Sequence, residues 1–193
     1  MKFGSVPLKE ADGTFLAHAV QAGEVRFKKG TRLAVPEIAA LQTAGIGEVI
    51  VARLEEGDIA EDNAAARLAA TALHPSVRIA SPSTGRVNIH AEADGLFVVD
   101  RHAIEAINRV DPSITIATLA EFAPVACGQM VATVKIIPFA VPVEKLDAAI
   151  AAAKSASPLL KVAPWFSKPV GLVATELPSL KPEVMDKTAR ILQ

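Results

Sequence analysis

The sequence predicts a mixed α+β and α/β fold with an aliphatic core. Alanine-rich stretches with helical spacing alternate with runs of β-branched residues, and glycine or proline turns separate them. Hydrophobic residues make up 51% of the chain but aromatic residues only 4%, so close packing of Ala, Val, Ile and Leu has to supply the burial energy. Strand runs separated by helices, together with a hairpin, argue against a single doubly wound sheet. We expect three parts: an N-terminal α/β portion (1–75), a β-rich middle domain with two helices (76–165) and a C-terminal strand–helix unit (166–193).

Composition excludes several classes of protein. The formal net charge is −1, whereas a nucleic-acid-binding domain carries clustered Lys and Arg. The single cysteine excludes an intramolecular disulfide and favours a reducing compartment. The four histidines and the cysteine are scattered and match no metal-ligand spacing. Because there is no signal peptide and no apolar run near the ~20 residues of a membrane span, we expect a cytoplasmic protein with no nucleic-acid, membrane or metal partner.

The stretch from Lys28 to Leu54 predicts a turn, a short helix, a glycine stop and a buried strand. Pro36 falls in the first helical turn, where its missing N–H costs nothing. Gly45 ends the helix because glycine enters the left-handed conformation cheaply. The β-branched run 49–51 then predicts the strand.

A second helix is predicted from Ile59 to Leu73. Asp58 is placed to cap it, with Glu61 three residues later as in a capping box. Asp58, Glu61 and Asp62 have two interpretations, a metal or general-base cluster and favourable charge at a helix N-terminus. We favour the second. Further helices are predicted at 101–110 and 143–154.

The stretch from Thr84 to Asn88 combines a hydroxyl, a bare backbone, a guanidinium and an amide. Thr84, Gly85, Arg86 and Asn88 together are suited to recognising a phosphate or a pterin. The alternative is a hairpin turn followed by an alternating strand. A second hairpin is predicted at 92–95, with a return strand at 96–99.

Two residues in the predicted strand region 127–139 have alternative interpretations. Lys135 could meet an anion, but the solvent side of an alternating strand is favoured. Cys127 could be a nucleophile, but a small buried residue at a turn is favoured.

The C-terminal stretch predicts an apolar strand from Val170 to Thr175, a loop, and a helix from Lys181 to Gln193 with Pro182 in its first turn. A buried strand, a short polar loop and a helix N-terminus form the usual architecture of an anion site at a sheet's carboxyl edge.

Several segments resemble proteins of molybdenum-cofactor biosynthesis. Lys29-Gly30-Thr31, Gly45-Ile46 and the strand 49–53 resemble the segment leading into the molybdopterin-binding domain of molybdopterin molybdotransferases, and residues 10–18 are similar to that family's opening. The chain lacks the family's serine–methionine–aspartate–glycine motif and its long inserted domain, since only Gln21 to Lys28 separates the two parts. The resemblance therefore does not imply molybdate insertion.

Two later regions extend the resemblance. Residues 84–88 and 131–139 look like a bacterial family of molybdopterin-binding proteins, and residues 170–192 look like the opening of the shared molybdopterin-binding domain. That domain has Thr-Gly-Asp-Glu where this chain has Thr175-Glu176-Leu177-Pro178, and Asp186-Lys187-Thr188 stands at its Asp-Ser-Asn-like element. The family's domain continues through more strand–helix units, so the resemblance implies the N-terminal part of a larger protein.

The leading hypothesis is a binding module for molybdopterin or its nucleotide, with molybdopterin as the cofactor. The residues expected to bind it are Thr175, Glu176, Ser179, Lys181, Asp186, Thr84, Gly85, Arg86 and Asn88. The alternative is a non-catalytic scaffold in which residues 1–165 form a homodimer and position a downstream molybdopterin-binding or nucleotidyltransferase domain. We expect the chain alone not to be catalytic, because it has no recognisable Ser/His/Asp or Cys/His constellation and no phosphate-cradling glycine-rich loop.

Overall fold

A computed structural model of the chain describes residues 1–173, 175 and 182–192. The fold is mixed α and β, as predicted, with antiparallel sheets and helices packed around two separate clusters of buried aliphatic residues. The first cluster includes Leu8, Leu16, Leu33, Leu41 and Val51. The second, larger cluster runs from Ala64 to Val162.

The first cluster is enclosed by a small sheet, a hairpin and one helix. Its elements are β1 (Lys2–Pro7), β2 (Phe15–Leu16), β3 (Val20–Ala22), β4 (Val25–Phe27), α1 (Val35–Thr43) and β5 (Glu48–Arg53). β5 lies between β1 and β2 in an antiparallel sheet. Pro36 lies in the first turn of α1 and Gly45 follows it with φ +77°, so the predicted helix, glycine stop and strand are confirmed.

The second cluster is enclosed by a four-stranded sheet, a three-stranded sheet and a two-stranded ribbon. The strands are β6 (Asp58–Ala60), β7 (Val77–Ile79), β8 (Arg86–Ala91), β9 (Gly95–Val99), β10 (Ile114–Thr118), β11 (Pro124–Val125), β12 (Met130–Ile136), β13 (Ala140–Pro142) and β14 (Leu160–Pro164). The four-stranded sheet has the order β10-β12-β8-β7, the three-stranded sheet the order β11-β9-β14, and β13 pairs with β6.

Three helices cover this core: α2 (Glu61–Ala69), α3 (Arg101–Val110) and α4 (Val143–Lys154). α2 packs on β8 and β12, while α3 packs on β10 and on α4. The small residues Ala64, Ala65 and Ala69 are fully buried in α2, which lets this helix approach the sheet closely. A fifth helix, α5 (Pro182–Leu192), begins at the predicted proline.

Three sequence predictions about these elements are wrong. The predicted hairpin at 92–95 does not form: β8 and β9 flank this turn but lie in different sheets, because β9 pairs with β14 and β11. Turn residues reverse the direction of the chain, but they do not determine which strand the next strand pairs with. Asp58 does not cap α2, whose N-cap is Ala60, since the Asp58 carboxylate instead accepts the Glu55 N–H at 2.8 Å. Cys127 is exposed rather than buried.

The predicted apolar strand near the C-terminus is also wrong where the structure describes it. Residues 170–173 and Thr175 have no strand structure, and Val170 and Val173 are 90% and 92% exposed. A run of β-branched residues forms a strand only when another strand supplies its hydrogen bonds. In the described part of the chain, no strand pairs with residues 170–173 or Thr175. No helix in the described part of the chain is long and apolar enough to cross a membrane.

Candidate anion-binding site

The predicted Thr84–Gly85 segment forms the tip of the β7–β8 hairpin. The Arg86 N–H donates to the Ser83 carbonyl at 3.1 Å, and the Ser83 N–H donates to the Arg86 carbonyl at 2.9 Å. Thr84 and Gly85 between them both have positive φ, at +50° and +71°. Two consecutive left-handed residues define a type I′ turn, whose twist matches that of the flanking strands. The hairpin interpretation of this segment is therefore confirmed.

Gly85 packs so closely against α2 and β12 that a residue with a Cβ atom would clash. A Cβ at this position would lie 2.6 Å from the Ile136 carbonyl oxygen and 2.8 Å from Glu61 Oε2. The Gly85 N–H donates to Asp62 Oδ1 at 2.7 Å, and its carbonyl accepts the Ile136 N–H at 2.7 Å. Asp62 thus fixes the turn, and the position of the next residue, Arg86, follows from it.

Arg86 on β8 lies directly opposite Lys135 on β12 in the antiparallel register. Because Ile136 bonds to Gly85, the neighbouring Lys135–Arg86 pair is of the non-hydrogen-bonded kind, in which the Cα atoms are ~4.5 Å apart and the side chains approach most closely. Two like charges in such a pair repel each other. Within the part of the chain that the structure describes, neither cation takes part in a salt bridge.

Polar side chains flank these two cations on the same outward face of the sheet. Thr115 on β10 lies opposite Lys135 on its other side. In the next row Thr133 lies opposite Asn88, and its hydroxyl donates to Asn88 Oδ1 at 2.9 Å. With its Oδ1 engaged in this way, the Asn88 amide nitrogen remains a donor for a bound group. This corner of the sheet therefore offers two cations and neutral donors, the usual partners of phosphate.

A carboxylate and a third cation lie beside the same turn. Glu61, the first residue of α2, is half-buried, and burial, together with the charge of Asp62, raises its pKa, while Lys29 lowers it. The Lys29 ammonium lies 4.9 Å from the centroid of the Phe139 ring, and Phe3 stacks on that ring with centroids 6.4 Å apart. Residues from the first unit (β1 to β5, around the first cluster) thus meet the second unit (β6 to β14 with α2, α3 and α4, around the second cluster) at the hairpin tip.

The structure divides the nine predicted site residues into three groups. Thr84, Gly85, Arg86 and Asn88 come together, as described above. Thr175 and Asp186 lie elsewhere, lining a cavity of ≈ 360 Å³ against α5. Glu176, Ser179 and Lys181 lie outside the described residues, so a site made with them stays a prediction.

Two residues beside this turn, Lys135 and Glu61, are not among the nine predicted site residues. The sequence favours the solvent side of its strand for Lys135 over contact with an anion, and Lys135 does face outward, but its place opposite Arg86 depends on strand register. For Glu61 the sequence favours charge at a helix N-terminus over a metal or general-base cluster, and its closeness to Gly85 depends on the packing of α2. The described residues contain no group of three or more His, Cys, Asp or Glu side chains that could hold a metal ion.

A family model described as "Domain of unknown function (DUF8806)" matches residues 5–53, which correspond to the unit from β1 to β5. The Arg86–Lys135 pair lies outside the matched region. No curated protein and no solved structure matches the chain.

Proposed function

We propose that this protein binds a phosphate-bearing pterin, molybdopterin or its nucleotide, as a cytoplasmic binding module of molybdenum-cofactor biosynthesis. The observation that carries the proposal is the direct opposition of Arg86 and Lys135, neither of which forms an ion pair with a carboxylate of the described residues. An anion bound between them replaces their repulsion with two charge-assisted contacts, which are the strong class of hydrogen bond.

The choice of a pterin rests on the resemblance, and the register supports it. The segments 84–88 and 131–139 are the two that look like the molybdopterin-binding family. They are more than forty positions apart in sequence, yet they become adjacent strands with Arg86, Asn88, Thr133 and Lys135 in neighbouring rows.

Each residue has a role in this proposal. The Arg86 guanidinium offers two parallel N–H donors to two phosphate oxygens, and the Lys135 ammonium acts as a point charge beside them. Asn88 contributes its amide, and Gly85 keeps the hairpin tip close to α2. Thr175 and Asp186 on the C-terminal segment are proposed to contact the ligand from a separate surface.

The test is anaerobic calorimetric titration of the chain with molybdopterin. Arg86→Gln and Lys135→Gln should each weaken binding by roughly 10- to 100-fold, since a hydrogen bond to a charged group contributes about 1.5–3 kcal/mol. Arg109→Gln is the matched control, because Arg109 is exposed and pairs with Glu105 on α3; it should bind like the parent. Unchanged affinity in the Arg86→Gln, Lys135→Gln double variant would show that the phosphate binds elsewhere.

A scaffold role is the second candidate, and one observation favours it. The segment following β14 exposes large apolar side chains, including Trp165 at 57% and Phe166 at 79%. Contiguous exposed apolar residues mark surfaces that contact other proteins. We propose that this segment contributes to a homodimer. Sedimentation velocity should then give a mass that rises with concentration, and a strictly monomeric species would exclude it.

A further inference from the structure

Two adjoining cavities lie between the start of α3 and the segment of chain that precedes β11. Their volumes are ≈ 700 and ≈ 590 Å³, which fall within the range of pockets that bind small ligands. The two cavities share four lining residues, Val99, Arg101, Glu105 and Glu121, so they are two parts of one cleft. The residues that line this cleft do not include any from β8 or β12, and the cleft is therefore separate from the candidate anion site.

Three charged side chains of the cleft are not neutralised by one another. Among the described residues, Arg101, Lys161 and Glu121 take part in no salt bridge. Arg101 is exposed at the start of α3, whereas Lys161 on β14 and Glu121 before β11 are half-buried. The cleft thus presents two cations and one carboxylate to whatever enters it.

The two other carboxylates of the cleft are engaged by the protein. Asp100 Oδ1 accepts the Ala103 N–H at 2.9 Å and so caps α3. Glu105 pairs with Arg109 one turn along the same helix, at 3.2 Å. The start of α3 is therefore already occupied by its own cap, and Glu121 is the carboxylate that remains for a ligand.

β9 holds the unlike charges of the cleft apart. Lys161 lies opposite Val98 on one side of this strand. On its other side Phe122, which follows Glu121, donates its N–H to the Phe97 carbonyl at 2.7 Å. Because neighbouring strands are ≈ 4.7–4.9 Å apart, the backbone segments that carry Lys161 and Glu121 are separated by ~10 Å. Three extended residues of a peptide span about the same length.

An aromatic side chain lines the second cavity beside Glu121. Phe122 is 60% exposed and has a φ of +63°. A bulky residue in the left-handed region is an outlier, and such backbone strain is concentrated at sites that bind ligands. Ile104 and Leu119 line the same cavity, so this part of the cleft offers an apolar surface next to a carboxylate.

We propose that this cleft binds a short peptide with free termini, about three residues long as judged from the spacing of its charges. The peptide carboxylate contacts Lys161 and Arg101, and its α-ammonium group contacts Glu121. An apolar side chain of the peptide packs against Phe122. Both termini then make charge-assisted hydrogen bonds, which are the strong class. This inference does not depend on the proposed function, because the two sites have no residue in common.

The test is calorimetric titration of the chain with three forms of the peptide Ala-Phe-Ala: with free termini, N-acetylated and C-amidated. The unmodified chain should bind the free form about tenfold or more tightly than either capped form, since each cap removes one charged contact. In Glu121→Gln the preference over the acetylated form should disappear, while the preference over the amidated form remains. Lys161→Gln should give the opposite pattern.

Control variants separate recognition of the termini from net charge and from folding. Glu24→Gln and Lys28→Gln remove the same two charges from exposed positions of the first unit, and both should bind all three forms like the unmodified chain. Phe122→Gly should weaken the binding of all three forms without lowering the melting temperature, because glycine adopts the left-handed conformation without strain from a Cβ atom.

Three results would overturn the inference. Equal binding of the three forms by the unmodified chain would contradict the recognition of free termini. Absence of binding by every form would contradict a peptide ligand altogether. Equal losses of affinity in Lys161→Gln and Lys28→Gln would show that net charge alone acts on the peptide, and would contradict the contact with Lys161.

Discussion

At the scale of the single residue, Gly85 is the position on which the candidate site depends most. Its φ of +71° favours glycine, and the contacts at 2.6 and 2.8 Å leave no room for a methyl group. We expect Gly85→Ala to destabilise the fold by about 2–4 kcal/mol, because the conformational cost and the clash with the Ile136 carbonyl add. Chemical denaturation measures this change.

Gly128 offers a matched control for that substitution. It also has a positive φ, +81°, but a Cβ there would meet nothing within 4 Å. Gly128→Ala should therefore cost only the conformational part, about 1 kcal/mol. Equal losses in the two variants would contradict the close approach of Gly85 to β12.

A second prediction at the residue scale concerns the pH dependence of stability. Burial raises the pKa of Glu61 above its usual value, so the folded state holds this proton more tightly than the unfolded state does. Its contribution to stability is therefore fully present below the unfolded pKa and is lost as the pH rises through the folded pKa. Without ligand, Glu61→Gln should raise the melting temperature at pH 7 to 8, and the gain should shrink towards pH 4.

Thermal unfolding across that pH range measures the effect, with Glu56→Gln as the control. A loss of stability in Glu61→Gln at pH 7 to 8 would contradict the raised pKa of Glu61.

At the scale of the element, α3 protects an exposed edge of the four-stranded sheet. β10 is an edge strand, and its outer backbone groups are met by one side chain. Asn108 Oδ1 accepts the Ile116 N–H at 2.8 Å, and Asn108 Nδ2 donates to the Ile116 carbonyl at 3.0 Å. The amide thus takes the place of a further strand, which is one way to prevent edge-to-edge association.

Removing that side chain should weaken the edge measurably. Asn108→Ala is expected to cost about 1–2 kcal/mol, because two backbone groups of Ile116 lose their partner in a part-buried setting. Chemical denaturation and hydrogen exchange at the Ile116 amide measure it. As a control, Asn63→Ala on α2, an exposed position, should be neutral or slightly stabilising. A similar loss of stability in this variant would contradict the specific role of Asn108.

At the scale of the whole molecule, Phe139 is one point of contact between the two units. Its ring stacks on Phe3 of β1 and lies under the Lys29 ammonium. Such aromatic and cation–π contacts each contribute about 0.5–1.5 kcal/mol. Through Lys29, Phe139 therefore links the region matched by the family model to the unit that contains the candidate anion site.

Phe139→Ala should accordingly loosen the first unit from the second. We expect the free energy of unfolding to fall by about 2 kcal/mol and amide exchange to increase in β1. Phe139→Leu, which retains apolar volume but not the ring, should lose less. Unchanged exchange in β1 would contradict a link through this residue.

The sequence determined the local structure well. Helices α3 and α4 have the predicted bounds because capping, alanine content and apolar spacing act within a few residues. The turn at Gly85 and the alternation of buried and exposed residues in β8 are predicted correctly for the same reason. The strand predicted for this region is wrong at the described residues 170–173 and Thr175, because a β-branched run forms a strand only where a neighbouring strand pairs with it.

Tertiary structure alone decided which residues meet. No local signal pairs Arg86 with Lys135, places Glu61 over Gly85 or brings Lys29 to Phe139, because each contact joins segments that are distant in the chain. The register of β8 and β12 follows from burying one face of each strand in the common core. The sequence therefore supplied the chemical groups of the candidate site, and packing of the sheet and α2 determined their geometry.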